Sequence, residues 1–415
     1  MSKTVTRILS INIDRHLTTE QKIILGHLTY SASKLWNIAN YEVLENKTSI
    51  YELKAKLKGN LWYKNLHSQS AQAVIEKLQI AWKNCFKKYT KRPKYRPKDG
   101  HLSVIWKKNG IKLIDRKLRL SLSKQTKEYL KKHHGIESTY LWVELPKILP
   151  LDTVVSIRQV EVVPYQAFGH ISYTLHVIYK KQLEVNCVVN HNKTLAIDLG
   201  VSNLVTATDR EYSFIIDGRT LVSKMRLFAK KRARLQSVLS KQKLKTSKRF
   251  HRLYVKERNF VNDYLHKVSK KVVDYCLKHR IGTIAIGAMH KGITNMNIGS
   301  QNNEKLHRTP FGRLTRQIKY KAEEYGIKVT SVDESYTSQT CCVCGNVDKN
   351  NRKHRGLYVC ENCGTAMNAD VNGALNILKR VVPNLFSKKV GIGVLANPVR
   401  IRIFDQSPYE GISVF

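Results

Sequence analysis

The residues best suited to chemistry cluster near the C-terminal end. Five cysteines fall within 23 residues in the stretch TCCVCGNVDKNNRKHRGLYVCENCG. Taking Cys341, Cys344, Cys360 and Cys363 together gives C-x2-C-x15-C-x2-C, the spacing of a zinc site. Four thiolates complete a tetrahedron and leave no open position, so the expected ion is one structural Zn2+. Gly345 and Gly364 follow the two pairs, where a tight turn needs a residue tolerant of left-handed backbone. Cys342 reads as a bystander. Two disulfides are the alternative, and a reducing cytosol disfavours them. Lys349, Arg352, Lys353, His354 and Arg355 form a basic tip between the pairs, suited to phosphate contact or simply solvated. Cys85, Cys187 and Cys276 are isolated and read as small buried hydrophobes. Two carboxylates also stand out. Asp198 ends the apolar run Leu195-Ala196-Ile197, a costly position unless a partner or a metal meets it. Asp370 lies at the start of the last helical pattern, where N-terminal capping is the competing explanation. Two-metal phosphodiester hydrolysis needs such acids, delivered by separate elements to ions ~3.5–4 Å apart.

The elements that must position them form a recognisable order. KTLAIDLGVSNLVTATD and EYSFIIDG read as three strands, followed by a long helical stretch from Lys224 to Arg280. GTIAIG is a fourth strand. PFGRLTRQIKYKAEEYG is a helix with Phe311, Leu314, Ile318, Ala322 and Tyr325 inward and Gly326 as its stop. IKVTSVDE is a fifth strand, then the cysteine insertion leads into the helix NADVNGALNILKR. That order is the order of an RNase H-like nuclease core. The tail from Val381 reads as irregular and mobile.

The N-terminal half is different. A strand over the first ~15 residues precedes a capping box at Thr18 and Gln21, which opens a helix with Ile24, Leu28, Leu35 and Ala39 on one face. A second helix over residues 70–90 carries Ala71, Ile75, Leu78, Trp82, Cys85 and Tyr89 at helical spacing. It ends in KKYTKRPKYRPK, where Pro93 and Pro97 stop the helix. Strands follow: a hairpin about Asn109-Gly110, Leu118–Leu122, Val154–Val163, and an alternating run at Ile171, Tyr173, Leu175, Val177 and Tyr179. Residues 1–185 read as a β-barrel-like unit with a helical insertion.

Composition names the partner class. The chain has 415 residues, 73 Lys plus Arg against 31 Asp plus Glu, and a formal charge of +42. A compact monomer so charged repels itself unless a polyanion neutralises it, so nucleic acid is expected. A hydrophobic content of 42% supports two or three folded domains. No apolar run reaches the ~18 residues of a membrane span, and the first residues do not read as a signal peptide; the expected location is cytoplasmic and nucleoid-associated. Lys224–Arg280 holds 19 Lys/Arg and three acids, Glu257, Asp263 and Asp274. Within it, Lys230, Lys231, Arg232, Arg234, Lys248, Arg249, Arg258 and Lys267 are the candidate nucleic-acid contacts.

Several motifs carry a family resemblance. IDLGVSNL, RN-x3-D-x2-HKVS at Arg258–Ser269, ESYTSQTCCVCG, and CENCG followed by D-x-N-x-A-x-NIL resemble the TnpB (OrfB) family, over about residues 190–380. The family comprises transposon-encoded, RNA-guided DNA endonucleases related to compact type V CRISPR effectors and to Fanzors. The resemblance implies α/β plus all-β architecture: a RuvC-like nuclease at 189–337 and 367–382, a zinc ribbon at 338–366 and a C-terminal tail at 383–415. Ahead of these it implies a β-barrel wedge domain at 1–17 and 97–188 and a helical recognition insert at 18–96. It further implies a guide RNA encoded near the gene, double-stranded target DNA cut beside a short duplex motif, and two catalytic Mg2+. Asp198 and Asp370 fall on the family's first and last catalytic acids. Gly287 stands where most members carry the middle glutamate. Glu334, directly before SYTS, matches a subgroup, including some Fanzor-like proteins, in which that glutamate is relocated; Asp333 is its neighbour. Asn368-Ala369 and Gly373 replace the usual Asp-Arg and Ala. The alternatives are a nuclease-inactive RNA-guided DNA-binding repressor and a transposase accessory DNA-binding protein.

Overall fold

The computed structural model describes residues 3–146, 151–167, 170–183, 188–288, 299–354, 356–386 and 397–404. The chain divides into two compact units, Met1–Glu184 and Val185–Phe415. Cys187 and Arg355 lie outside the described residues.

In the first unit, β1 (Lys3–Asn12) leads to α1 (Thr19–Leu44). The capping box is complete: the Thr18 hydroxyl accepts from Gln21 N at 3.2 Å and Gln21 Oε1 accepts from Thr18 N at 2.8 Å. The expected face, Ile24, Leu28, Leu35 and Ala39, is buried. After the single turns α2 (Leu53–Lys56) and α3 (Leu61–Lys64), α4 (Ser68–Phe86) buries Ala71, Ile75, Leu78 and Trp82. Cys85 is half-buried. The helix stops before Tyr89, which was expected on that stripe and is instead 76% exposed. Lys88 adopts φ 59°, a left-handed turn that ends the helical path one residue earlier.

The strands β2 (Val104–Lys107), β3 (Ile111–Ile114), β4 (Lys117–Ser121), β5 (Tyr140–Glu144), β6 (Val154–Ala167) and β7 (His170–Leu183) follow, with α5 (Lys124–His134) between β4 and β5. They form two antiparallel sheets, β1-β7-β6-β2 and β3-β4-β5, where one barrel was expected. The Asn109-Gly110 hairpin is also corrected. A type I′ turn needs positive φ at both residues, and neither residue has it. Lys108–Gly110 instead makes a single 3-10 turn that passes the chain from β2, paired with β6, to β3, paired with β4. The alternation on β7 holds, with Tyr173, Leu175, Val177 and Tyr179 buried.

The second unit opens with β8 (Asn190–Asp198), β9 (Asn203–Thr208) and β10 (Ser213–Asp217). The helices α6 (Arg219–Lys241) and α7 (Lys248–Lys278), then β11 (Ile281–Ala288), α8 (Ser300–Arg308), α9 (Phe311–Glu324) and β12 (Lys328–Asp333) follow. β13 (Tyr358–Val359) and β14 (Ala366–Met367) belong to the cysteine insertion, and α10 (Ala369–Val381) and β15 (Val399–Ile401) are the last α-helix and strand among the described residues. The sheet order is β12-β11-β8-β9-β10-β15. β8, β11 and β12 are parallel, and β9 runs against both β8 and β10. This is the RNase H-like arrangement the element order predicted. On α9, Leu314, Ile318 and Ala322 are buried, and Gly326 ends the helix at φ 74°. Tyr325, expected inward, sits at the cap and is exposed. Cys276 is fully buried, as expected. The tail departs from expectation: Val399–Ile401 pairs in parallel with β10, and Phe404 stacks on Phe260 with ring centroids 5.7 Å apart. Residues 387–396 and 405–415 lie outside the described residues.

Candidate functional site

The cysteines form two matching turns. Gly345 N donates to Cys341 O and Gly364 N to Cys360 O, and both glycines are left-handed, at φ 79° and 67°. One sulfur from each of Cys341, Cys344, Cys360 and Cys363 lies within 4.8 Å of the others. Cys341 Sγ is 3.7 Å from Cys363 Sγ, and Cys344 Sγ is 3.6 Å from Cys360 Sγ. With Zn–S bonds of about 2.3 Å, sulfurs along a tetrahedral edge stand about 3.8 Å apart. The quartet therefore fits a single zinc ion. Burial opposes ionisation of Cys344, yet N–H donors from Asn346 and Asn362 hold it down to about 6, prepared as a ligand. Cys342 faces away: its N–H donates to Asn372 Oδ1 at 3.0 Å, and burial pushes its thiol up to about 12. The bystander reading stands.

The carboxylates are assembled by the sheet and by α10. The parallel register pairs Ile197 with Ile286, and Gly287 with Val332, so Asp198, Gly287 and the end of β12 lie side by side. A Cβ on Gly287 would lie 2.7 Å from Glu334 Oε2 and 2.9 Å from Ile377 Cδ1. The Glu334 carboxylate thus fills the space over the glycine. Asp333 is turned elsewhere: its Oδ1 accepts from the N–H and hydroxyl of Ser335, on the exposed side.

Asp370 is free of the capping role. Asn368 caps α10 instead, accepting from Asp370 N at 3.0 Å and Val371 N at 3.3 Å. The Asp370 carboxylate accepts from Asn203 Nδ2 at 2.6 Å and from Arg352 Nη2 at 2.8 Å. Arg400 of β15 donates to Asn203 Oδ1 at 3.3 Å and so orients that amide. A Cβ on Gly373 would meet Asp198 Oδ2 at 2.8 Å, so α10 comes as near to Asp198 as a glycine permits. Burial, then the charges of Asp370 and Glu334, push the Asp198 carboxyl up to about 8, with Arg352 opposing. Asp198 and the two acids beside it leave a negative site that a cation would relieve. Hard oxygen donors of this type suit Mg2+. Among the described residues, only the cysteines close to within 4.8 Å of one another. The three carboxylates form a more open set than the cysteines.

Sequence reasoning did not find Asn203, although it lies inside the IDLGVSNL motif, and it read Arg352 only as part of a basic tip. The motif asparagines Asn372 and Asn376 also gain a purpose. Both donate to Thr340 O, at 2.8 and 2.7 Å, and tie the start of the cysteine insertion to α10.

The basic helices separate into two kinds of cation. Arg232 forms an ion pair with Glu257, only 12% and 15% exposed at their side chains, and its guanidinium lies 4.8 Å from the centre of the Tyr254 ring. It is therefore a tie between α6 and α7, a correction to its expected phosphate role. Lys267 pairs with Asp263 at 2.9 Å and covers the Phe404 ring. Lys231, Arg234 and Arg249 line a cleft of ≈ 630 Å³ with Arg252, Lys256 and three apolar residues, without an acid. Lys230, Lys248 and Arg258 are exposed. In the HKVS motif, His266 O and Ser269 Oγ accept from Lys321 Nζ at 2.6 and 2.8 Å, joining α7 to α9.

Comparison with known proteins agrees with this architecture. Residues 170–292 match the OrfB_IS605 family, described as "Probable transposase", and residues 311–377 match the "Cas12f1-like, TNB domain" family. Over 128 residues the chain is 40% identical to the "CRISPR-associated endodeoxyribonuclease Cas12f1" of Sulfoacidibacillus thermotolerans, covering 31% of this chain and 28% of that one. It is 27% identical over 332 residues to the "Putative RNA-guided DNA endonuclease InsQ" of Escherichia coli (strain K12), covering 76% and 75%. A TnpB-like protein of Methanocaldococcus jannaschii is 29% identical over 222 residues, covering 51% and 74%. The chain thus spans little over a quarter of the first relative and about three quarters of the other two. The fold resembles the protein in a Cas12f1–sgRNA–target DNA complex, with TM-score 0.60, 17% identity, and coverage of 87% and 83%. Motifs running from Asp198 to Leu378, both family matches, and a relative along about three quarters of the sequence point the same way: the chain is similar to proteins of the TnpB (OrfB) family.

Proposed function

We propose that this protein is an RNA-guided, divalent-metal-dependent DNA endonuclease encoded by a transposable element. It cleaves DNA complementary to a guide RNA, next to a short duplex motif. The observation that carries the reading is the Glu334 carboxylate over Gly287, 2.7 Å from where a Cβ would stand. It gives Asp198 the third acid that the glycine would otherwise remove. The partners come from the relatives: InsQ is named as an RNA-guided DNA endonuclease, and the Cas12f1 structure is a complex with sgRNA and target DNA. Base pairing supplies sequence recognition, while the protein reads backbone shape and the duplex motif.

In this reading Asp198, Glu334 and Asp370 hold two Mg2+ ions. The chemistry such ions would supply there is activation of water and neutralisation of charge on the scissile phosphate. Asn203 fixes one Asp370 oxygen, and Arg352 supplies a cation beside the site where phosphate charge develops. The cysteine quartet holds one Zn2+ and stiffens the ribbon that carries Arg352.

The test is cleavage by the purified ribonucleoprotein with Mg2+, its RNA identified by sequencing what co-purifies. Asp198→Ala and Glu334→Ala should each lose roughly 10³-fold, reflecting several kcal/mol of charge stabilisation, while Asp333→Ala stays active. Activity that survives Glu334→Ala overturns the assignment. Guided binding without cleavage in the unmutated protein would establish the inactive binder instead.

A further inference from the structure

The first unit carries a second cationic surface that the nuclease chemistry leaves unused. Residues 87–98, KKYTKRPKYRPK, hold seven Lys/Arg and no acid. A run of like charges repels itself and usually stays disordered. Here it is pinned along α1. Trp36 Nε1 donates to Lys94 O at 3.1 Å, and Asn40 Nδ2 to Pro93 O at 3.2 Å. Asn37 both donates to Arg96 O at 3.0 Å and accepts from Arg96 N at 2.7 Å. These contacts take up backbone atoms of the strap, so Lys91, Arg92, Lys94, Arg96 and Lys98 remain exposed. Pro93 and Pro97 lower the entropy lost on ordering it. A polycation held in one shape is preorganised for a polyanion.

Beside the strap runs a groove of ≈ 930 Å³, lined among others by Tyr51, Trp82, Phe86, Lys83, Lys87 and Arg92, and by no acid. The nearby Glu42 is held by Lys56 at 2.6 Å. Among the described residues no acid pairs with Lys83, Lys87 or Arg92, and Lys83 lies 5.0 Å from the Tyr51 ring centre. Tyr51 is 70% exposed and Phe86 61%; Tyr89 and Tyr95 of the strap are exposed as well. Large aromatic faces left in water beside cations need a partner with both flat apolar faces and negative charge. A second copy of this chain would bring like charge against this face. A duplex offers phosphate but keeps its base faces stacked inside. Unpaired nucleotides offer both, and single-stranded RNA is commonly read by stacking on aromatic side chains.

We propose that the α4 end and the strap form a track for a short unpaired RNA segment. Lys83, Lys87, Arg92 and the strap cations contact its phosphates, and Tyr51 and Phe86 stack on its bases. The assignment extends the RNA-guided reading and is independent of cleavage, because no residue of it lies in the second unit.

Binding of the full chain to a 12-nucleotide oligouridylate, the matched oligothymidylate and a blunt RNA duplex tests it, by anisotropy over a salt series without added magnesium. Circular dichroism checks that each variant remains folded. Tyr51→Ala/Phe86→Ala should weaken oligouridylate roughly 5- to 100-fold, leaving the salt slope and duplex affinity unchanged. Lys83→Ala/Lys87→Ala should instead reduce the slope by about 1–2. Oligouridylate bearing 4-thiouridine should crosslink to residues 43–51 or 82–95. Crosslinks confined to other segments, equal weakening of duplex and single strand, or an unchanged oligouridylate affinity would overturn the proposal. A greater loss for oligothymidylate would reassign the track to DNA, and a dimer that dissociates in the aromatic variant would reassign it to a second copy. Failed cleavage in the nuclease assay would leave this binding result standing, so the two readings fail separately.

Discussion

Two candidate metal-ligand sets in the second unit are built on opposite plans. The cysteines come from 23 consecutive residues, and each pair is shaped by its own turn. The carboxylates come from positions 198, 334 and 370, and they meet only because β8, β12 and α10 have packed. The sulfurs stand at tetrahedral spacing, whereas Asp370 is already engaged by two protein donors and the acids remain more open. A closed thiolate cage keeps its ion as part of the fold. An open carboxylate site, partly satisfied by the protein, suits ions that arrive with substrate and need room for a phosphate.

The largest expected effect breaks the closed plan. Cys360→Ser should remove most of the ribbon's metal-derived stability, on the order of 10 kcal/mol for structural zinc. Zinc content should fall from one per chain to near zero, and hydrogen exchange over residues 338–366 should become fast. Retained exchange protection without zinc would show that the ribbon is held by α10 alone. The open plan predicts a different signature. Gly287→Ala places a methyl group 2.7 Å from Glu334 Oε2 and 2.9 Å from Ile377 Cδ1. The glutamate can swing aside with little cost to stability, but it then leaves the site. Cleavage should fall about 10- to 100-fold, as for misplaced ligands, with the melting temperature nearly unchanged. A variant that keeps full activity would argue against Glu334 as a ligand.

Arg352 links the two sets and allows them to be separated. It is carried by the ribbon, yet donates to Asp370 at 2.8 Å. Arg352→Ala should keep zinc and fold while lowering cleavage about tenfold, at the lower end of the effect of removing a ligand's partner. Arg352→Lys should recover only part of that activity, because an ammonium lacks the planar fork. Full rescue by lysine would reduce its role to charge alone.

The same division explains what could be read from the sequence. Local devices were legible: the Thr18–Gln21 capping box, the cysteine spacing, and the apolar run that delivers Asp198 each carry their signal within a few residues. Features that depend on distant partners were not. Asn109-Gly110 has hairpin chemistry, but β2 and β3 are claimed by different sheets, so the turn takes another form. Arg352 meets Asp370 across 18 residues, and Asn203 meets it across 167, with no local pattern to announce either. β15 is three residues long, too short for any periodicity. Glu334 fell between these cases. Its placement came from a family resemblance, and the geometric reason, a side chain lying over Gly287, exists only once β11 and β12 are paired.

The smallest expected effect concerns adjacent cations, Lys231 and Arg232, where a side chain kept for a ligand neighbours one committed to the fold. Arg232 is largely buried against Glu257 and Tyr254. Its loss leaves Glu257 without its partner, and Arg232→Ala should cost about 2 kcal/mol, discounted from the ~3–5 kcal/mol of a fully buried pair because some solvent remains. Lys231 lines the acid-free cleft and is exposed. Lys231→Ala should therefore change stability by less than ~0.5 kcal/mol, yet reduce the salt slope of nucleic-acid binding by about one unit. Denaturant titration and a binding salt series measure both quantities on both variants. If Lys231→Ala leaves the slope intact, the cleft is only a solvated helix face, and the charge of +42 must be neutralised elsewhere.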